Sequence, residues 1–339
     1  MKTYEITLKP NSGFGTPLKG DTIFGHICWQ AAYDPGLFGK SIGQLLSDYK
    51  TDPFLIVSSA FFKIETNGTT VRILKRPDVP LYKIFDLSGK TKKDLIKERK
   101  VLKGKRWMKI PHNQRIESLK IVKYVSDNEL IEEIISDSEE TKRIRLLVSE
   151  FTQPHNTINR LTNTTGEGRF APFELDQNIF FPGILLIIYV GIREDIDIKQ
   201  VQMALKRIGD MGFGRDASTG LGKFDVISAV ETNLFEMGST NSNACYTLSP
   251  SVPEKDIFSH TYFTPFTRFG RHGDILAKSS NPFKNPIIMA DEGAVFVPVN
   301  MENTLKKPYI GVGVSELSKA QPDTVAQGYS LYIPVYVEV

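Results

Sequence analysis

DIKQVQMALKRIGDMGFGRDASTGLGKFDVISAV, residues Asp197 to Val230, contains a helix pattern, a glycine-rich turn and a strand pattern in succession. Asp197 is a helix-capping residue by type, and Ile198, Val201, Leu205 and Ile208 fall on one stripe of a helical wheel. Gly212, Gly214, Gly220 and Gly222 follow, four glycines in eleven residues, and Lys223 to Val230 has strand character. Such a turn allows backbone N–H groups to converge on one oxyanion, with Arg215, Ser218, Thr219 and Lys223 adding charge and hydroxyl donors. Phosphate binding is the expected use. The spacing is neither G-x-G-x-x-G nor G-x-x-x-x-G-K-[ST], which excludes the dinucleotide and P-loop readings; a tight helix-to-strand turn is the competing one.

Upstream, Tyr4, Ile6 and Leu8 alternate with Glu5 and Thr7, as in a half-buried first strand. A Gly- and Pro-rich loop closes at Gly20. Asp21 or Thr22 is then placed to cap a helix with Ile23, Phe24, Ile27, Cys28 and Ala31 inward. A second strand is expected near Leu55 to Ile64, and the 14 residues from Ile179 to Ile192, interrupted by Pro182, read as a buried strand pair too short to span a membrane. The order strand, helix, strand, insertion, strand, helix, strand matches the split βαβ unit of a ferredoxin-like, or RRM-like, domain. Residues 231–243 have linker composition, and short strand patterns follow at 262–269, 294–299 and 329–337. The expected organisation is α+β: an RRM-like domain over residues 1–232, with an insertion at about 71–125, and a smaller β-rich domain over 233–339.

The 339 residues carry a net charge of only +3, unevenly distributed. From Val71 to Lys123 there are 17 Lys and Arg against 5 Asp and Glu, a net of +12; Asp127 to Glu140 then holds seven acids and no base. Basic blocks suit phosphate backbones, and Tyr82, Phe85 and Trp107 among the charges suit stacked RNA bases. A solvated face is the alternative. Cys28 and Cys245 form no C-x-x-C pair, no metal-binding spacing occurs, and no cofactor is expected. MKTYEITLKP alternates in place of showing a leader pattern, so a cytoplasmic, reducing location with no membrane contact is expected.

A second polar segment, HNTINRLTNTTGEGRF from His155 to Phe170, places hydrogen-bonding groups densely around only two aliphatic residues, Ile158 and Leu161, as an exposed binding loop does. Together with KGDTIFGH, Lys19 to His26, and the glycine-rich GFGRDASTGLGK, Gly212 to Lys223, it resembles the RAMP superfamily of CRISPR-associated proteins. Within it, the chain is most similar to the group that holds the 5′ end of guide RNA, the fourth-subunit family of Csm (type III-A) interference complexes. The motifs span the first two-thirds of the chain.

The resemblance implies tandem RRM-like domains gripping the repeat-derived 5′ tag of the guide RNA (crRNA). Its implied RNA-binding residues are Lys19, His26, His155, Asn156, Asn159, Arg160, Thr164, Arg169, Gly212, Gly214, Arg215, Ser218, Thr219, Gly220, Gly222 and Lys223. It also implies that the basic insertion is a thumb wedging into the guide–target duplex. Lys103, Lys105, Arg106, Trp107, Met108 and Lys109 are its candidate residues, with Trp107 and Met108 as an apolar tip near target RNA. The implied protein partners are a polymerase-like large subunit and a backbone RAMP subunit.

A metal-independent endoribonuclease of the same superfamily is the main alternative, because His26, His155, Tyr4 and Lys19 are types suited to general acid–base work. His26 falls on or near the buried stripe, which favours a packing role, and a binder without catalysis is the expectation. Neither H-E-x-x-H nor G-x-S-x-G occurs. A protein scaffold is the third class, with the acidic run expected to meet another subunit.

Overall fold

Apolar spacing in the first helix produces what it predicts. In the computed structural model, which describes residues 1–66, 68–89, 91–134 and 146–338, β1 (Lys2–Pro10) leads into α1 (Gly20–Tyr33). Ile23, Phe24, Ile27 and Ala31 are buried and Cys28 is half-buried. The helix start differs from expectation: Lys19 is the N-cap and its side chain makes no cap bond. Asp21 instead receives two hydrogen bonds from the Arg268 guanidinium, at 2.6 and 2.9 Å.

After α2 (Ile42–Leu46), the expected second strand is broken into β2 (Leu55–Val57) and β3 (Phe61–Thr66). At the break, three successive N–H groups diverge: Ser58 donates to Tyr189 O (2.8 Å), Ser59 to Leu248 O (2.8 Å) and Ala60 to Leu18 O (2.9 Å). Next come β4 (Thr69–Lys75), α3 (Lys92–Gly104), β5 (Trp107–Pro111), β6 (Lys123–Val125), α4 (Asp127–Ile134), β7 (Val148–His155) and β8 (Phe173–Phe180). β9 (Leu185–Ile192), α5 (Ile198–Met211) and β10 (Phe224–Glu231) complete the first half. Asp197 caps α5 through a capping box with Gln200, and Val201, Leu205 and Ile208 are buried as their spacing predicts.

The main sheet is antiparallel, ordered β10-β1-β9-β3-β4-β5-β6, with β2 also on β9. β7 and β8 stand apart as a two-stranded ribbon, so Ile179 is exposed while β9 is buried. The second half supplies β11 (Ala244–Thr247), β12 (Phe258–Tyr262), β13 (Pro265–Arg268), β14 (Ile287–Ala290), β15 (Val295–Pro298), α6 (Met301–Thr304), β16 (Tyr309–Gly311) and β17 (Tyr329–Val335). Its sheet is ordered β12-β15-β11-β17-β16, and β13 pairs with β14 alone.

β1 is not half-exposed, because the second sheet covers the side where Glu5 and Thr7 lie. Both residues are buried. Glu5 pairs across the sheet with Tyr189; two residues further along β9, a Cβ on Gly191 would meet Leu331 Cδ2 of β17 at 2.9 Å. Charge enclosed there is paired, as burial requires: Arg72 Nε lies 2.5 Å from Glu5, and Lys63 Nζ lies 3.9 Å from it. One hydrophobic core, including Ile6, Ile188, Tyr246 and Leu331, runs through both sheets. The segment with linker composition is packed: Leu234 and Met237 are buried, and Met237 O accepts from Ile116 N–H at 2.8 Å. Among the described residues, no helix is long and apolar enough to cross a membrane.

The apolar tip expected at Trp107 and Met108 is overturned. Both lie in β5, inside the main sheet, where strand alternation turns Met108 and Ile110 into the core. Trp107 packs edge-on against Phe62, 5.0 Å between centroids, and donates from Nε1 to Asp127 at 3.2 Å. The acidic helix that follows has partners within the chain. Asp127 pairs with Arg106, Glu129 with Lys105 at 3.3 Å, and Glu133 with both Lys109 and Lys123. Residues 135–140 of the acidic run lie outside the described residues.

Candidate nucleic-acid interface

α5 delivers the chain into the glycine-rich loop, and the loop folds on itself. Phe213 N–H donates to Gly222 O at 2.9 Å, Gly222 N–H to Gly13 O at 2.8 Å, and Thr219 N–H to Asp216 O at 3.0 Å. Arg215 N–H donates to Thr16 Oγ1 and Lys223 N–H to Ser12 Oγ, both at 2.8 Å. These donors hold the loop to residues 12–16 and to itself, and do not converge on an outside oxyanion. The glycines serve close approach. At Gly222, φ is +75°, and a Cβ would lie 2.2 Å from Phe213 O; Gly212 is buried in the same way, 2.5 Å from Leu221 O. Gly214 faces Thr16, while Gly220, with φ of +99°, has open space around it.

What the loop offers outward is side chains. Ser218, Thr219 and Arg215 are exposed. Arg215 is held by a bond from Nη2 to Asp176 O at 2.9 Å and by Asp216 Oδ2, 3.0 Å from its Nε. Thr219 Oγ1 donates to Asp216 O at 2.7 Å and keeps its lone pairs outward; Lys223 Nζ donates to the carbonyl of Asp210. The bond to Asp176, midway along β8, ties the loop to the side of the ribbon.

α1 meets the loop at His26, whose imidazole lies 4.5 Å from the Phe213 ring centre. Burial pushes the His26 pKa down to about 4, leaving a neutral ring at pH 7. Lys19 is corrected from an RNA ligand to a structural lock. Its ammonium is held by Asp291 and by Glu292 at 2.9 Å, which joins the start of α1 to the turn before β15. Glu292 also accepts from Ser59 Oγ at 3.1 Å, and Ser59 Oγ in turn accepts from Gly20 N–H at 3.2 Å.

The polar loop from His155 caps the ribbon. β7 and β8 pair from Val148↔Phe180 to His155↔Phe173, eight pairs or about 25 Å at 3.3 Å per residue. Phe14 anchors the root, bridged to Asn178 and 5.4 Å from the Phe180 ring. At the far end His155 stacks on Phe173, with centroids 5.4 Å apart and planes at 15°. Asn159 is used by the turn: its Oδ1 accepts from Leu161 N–H at 3.0 Å and its N–H donates to Thr164 O at 3.0 Å. Asn156, Arg160 and Thr164 are exposed, and the Arg169 side chain lies outside the described residues. Leu161, 95% exposed, and Ile158 form the apolar end. Thus the glycine-rich loop meets α1 at His26 and the ribbon at Asp176, midway along β8, while His155 stands three residue pairs further out and the turn to Thr164 lies beyond it. Ser12 and Thr16, which hold the loop in place, carry no signal in the sequence beyond polar residues near glycines, and Asp176 acts through its backbone carbonyl, which no side-chain pattern marks.

No family model and no curated protein sequence matches this chain. Solved structures do. A chain of the Csm3–Csm4 subcomplex in the type III-A CRISPR-Cas interference complex superposes with a TM-score of 0.53 at 17% identity, over 98% of this chain and 99% of that one. A chain of the Csm1–Csm4 cassette in complex with pppApA gives 0.53 at 15% identity, over 100% and 99%, and one of the cassette with cA4 gives 0.52 at 14%, over 99% and 98%. Csm4 is the component common to the three. The chain has the Csm4 fold. The likeness runs end to end, so the β-rich second half, which carried none of the motifs, belongs to the shared architecture as much as the first.

Proposed function

We propose that this chain is a non-catalytic RNA-binding subunit of a type III CRISPR ribonucleoprotein, anchoring the repeat-derived 5′ tag of the guide RNA and docking a polymerase-like large subunit onto a backbone subunit. The observation that carries the reading is the junction of glycine-rich loop, α1 and the β7–β8 ribbon in a chain with the Csm4 fold. Arg215, Ser218 and Thr219 present a cation and hydroxyls suited to phosphates, and Arg160 and Asn156 suit the edges of splayed bases. The partner assignment rests on the Csm3–Csm4 and Csm1–Csm4 assemblies whose fold it shares.

The strand orders support tandem ferredoxin-like domains. β10-β1-β9-β3 follows the 4-1-3-2 order of a split βαβ unit, with α1 and α5 as its crossovers. β17-β11-β15-β12 repeats that order, with the second crossover helix reduced to α6. An RRM ordinarily stacks bases on its open sheet face; that face of the first sheet is covered here, so the RNA path is assigned to the loop and helix side. We assign the thumb to the β7–β8 ribbon, not to the basic insertion, because the ribbon projects and ends in exposed Ile158 and Leu161.

Absence of catalysis is supported by the placement of the histidines: His26 is neutral and packed on Phe213, and His155 stands at the other end of the ribbon. The test is to incubate the purified chain, in chelator, with end-labelled RNA carrying the repeat encoded beside its gene and with a scrambled control. Intact RNA with a tag-dependent shift is the expected result. Cleavage at one repeat position, lost in His26→Ala, would replace this function with guide processing.

A further inference from the structure

β13 and β14 continue past their strand ends as a second ribbon. His272 N–H donates to Pro282 O and Lys284 N–H to Gly270 O, both at 2.8 Å, and Arg271 bridges to Phe283. Strand alternation divides its faces. Phe266, Met289, Arg268 and His272 turn inward: Met289 and His272 are buried, and Arg268 holds Asp21 of α1. Thr267 and Ile288 pair on the opposite face; beyond a one-residue slip in register Arg271 pairs with Phe283, and on this outward side Phe269 is 76% exposed, Phe283 68% and Ile288 72%. The Arg271 guanidinium sits 5.5 Å from the Phe283 ring centre. Isolated exposed apolar side chains are ordinary; two phenylalanines and an arginine side by side on one β face form a patch.

We infer that this outward face is a stacking platform for single-stranded RNA, with Phe269 and Phe283 each taking a base and Arg271 meeting the adjoining phosphate. Three observations select RNA as the occupant. Exposed flat rings with a cation beside one of them match what sequence-tolerant single-strand binders present. The sheet face that would ordinarily hold stacked bases is closed by the second sheet, so the stacking surface must lie elsewhere. The ribbon that carries the platform is also pinned to α1, the helix that meets the glycine-rich loop, through Arg268 and Asp21, and a Cβ at Gly273 would lie 3.5 Å from Trp29 Nε1 of the same helix. The inference rests on the RNA-binding reading above and adds a second contact region to it.

The test uses the full chain, 5′-labelled single-stranded RNAs of increasing length, and fluorescence anisotropy at fixed salt. Phe269→Leu with Phe283→Leu keeps apolar area and removes stacking; both side chains point outward, so the melting temperature should hold. Each lost stack should weaken binding of the longer RNAs by roughly 5- to 150-fold and shorten the occluded site, while the shortest RNA reaching only the glycine-rich loop binds as before. Arg271→Gln should lower the salt dependence. If the parent chain binds the long RNAs and the double leucine variant matches it in affinity and site size, the platform is overturned. If that variant binds RNA normally while Phe269→Ser with Phe283→Ser loses the large subunit on co-purification, the face is a protein-docking surface and the inference is likewise overturned. Failure of the parent chain to bind any RNA overturns the underlying function and the platform with it.

Discussion

The imidazole of His26 rests on the ring of Phe213, 4.5 Å between centres, so α1 places a titratable group directly against the glycine-rich loop. Its pKa of about 4 lies below the value near 6.5 that an unfolded histidine has. Between these values the unfolded chain binds more protons than the folded one, so stability rises with pH across that window and falls on acidification. His272, also shifted down by burial and then by Lys284, acts with the same sign. Thermal melts from pH 6.5 down to pH 4 should show a falling midpoint, and His26→Leu should flatten part of the slope. An unchanged slope in that variant would remove His26 from the packed interior.

The loop glycines should separate by their surroundings. Gly222→Ala sets a Cβ 2.2 Å from Phe213 O at a φ of +75°, and is expected to cost upwards of about 3 kcal/mol from strain and collision together. Gly220→Ala meets open space at a φ of +99° and is expected to cost about 1–2 kcal/mol, from conformation alone. Arg215→Ala, by contrast, should leave urea midpoints nearly unchanged and weaken RNA binding. Equal costs at the two glycines would mean that the loop does not close as described.

The first strand, both helix stripes, the glycine-rich turn and the exposed polar loop were all legible, because each depends on local periodicity or turn chemistry. Glu5 and Thr7 misled, because a polar residue on alternate positions signals solvent only when nothing covers that face, and β17 lies some 330 positions further along the chain. Trp107 and Met108 misled for a related reason: in a strongly basic segment an apolar pair resembles a protruding tip, whereas β5 uses it to join the core. Charge counting along the chain was blind to pairing in space, and Arg106, Lys105 and Lys109 are answered by Asp127, Glu129 and Glu133 some twenty residues later.

That pairing divides the basic insertion into two populations. Lys97, Arg99, Lys100 and Lys103 on α3 are exposed and make no ion pair among the described residues, whereas Lys105 and Arg106, just before β5, and Lys109 within it are matched by α4. Replacing Lys97, Lys100 and Lys103 together by Gln should reduce the slope of log affinity for single-stranded RNA against log salt by about 2 if all three meet phosphates. The same change at Lys105, Arg106 and Lys109 should leave that slope alone and lower stability modestly, by about 0–1 kcal/mol per exposed pair. A larger slope change from the β5 set would show that α4 releases its partners when RNA binds.

Beneath the second sheet, Arg72 and Glu5 form a pair nearly closed to solvent, their side chains 8% and 9% exposed. Arg72→Met alone leaves a buried carboxylate without its closest partner and is expected to cost about 3–5 kcal/mol. Glu5→Leu combined with Arg72→Met removes both charges and should recover much of that loss, since the desolvation of each ion vanishes with it. A double-mutant cycle by chemical denaturation gives the coupling. Near-additive losses would mean that water reaches the pair, and that the two sheets are less closely packed there than the contact of Gly191 with Leu331 requires.

The ribbon end tests the assignment of the thumb. Ile158 and Leu161 are exposed, so Ile158→Ser with Leu161→Ser should leave the melting temperature and tag binding close to the parent values. An apolar wedge acts by unstacking, and its loss should let neighbouring bases close up. In a guide-loaded complex, a 2-aminopurine placed in the target opposite the first guide nucleotides should be bright with the parent chain, where the base is held out of the stack. The same probe should be quenched with the serine variant. Equal fluorescence in both would return the wedge to another element, and α3 of the basic insertion, with Ile96 and Val101 exposed beside Lys97, Lys100 and Lys103, would be the next to test.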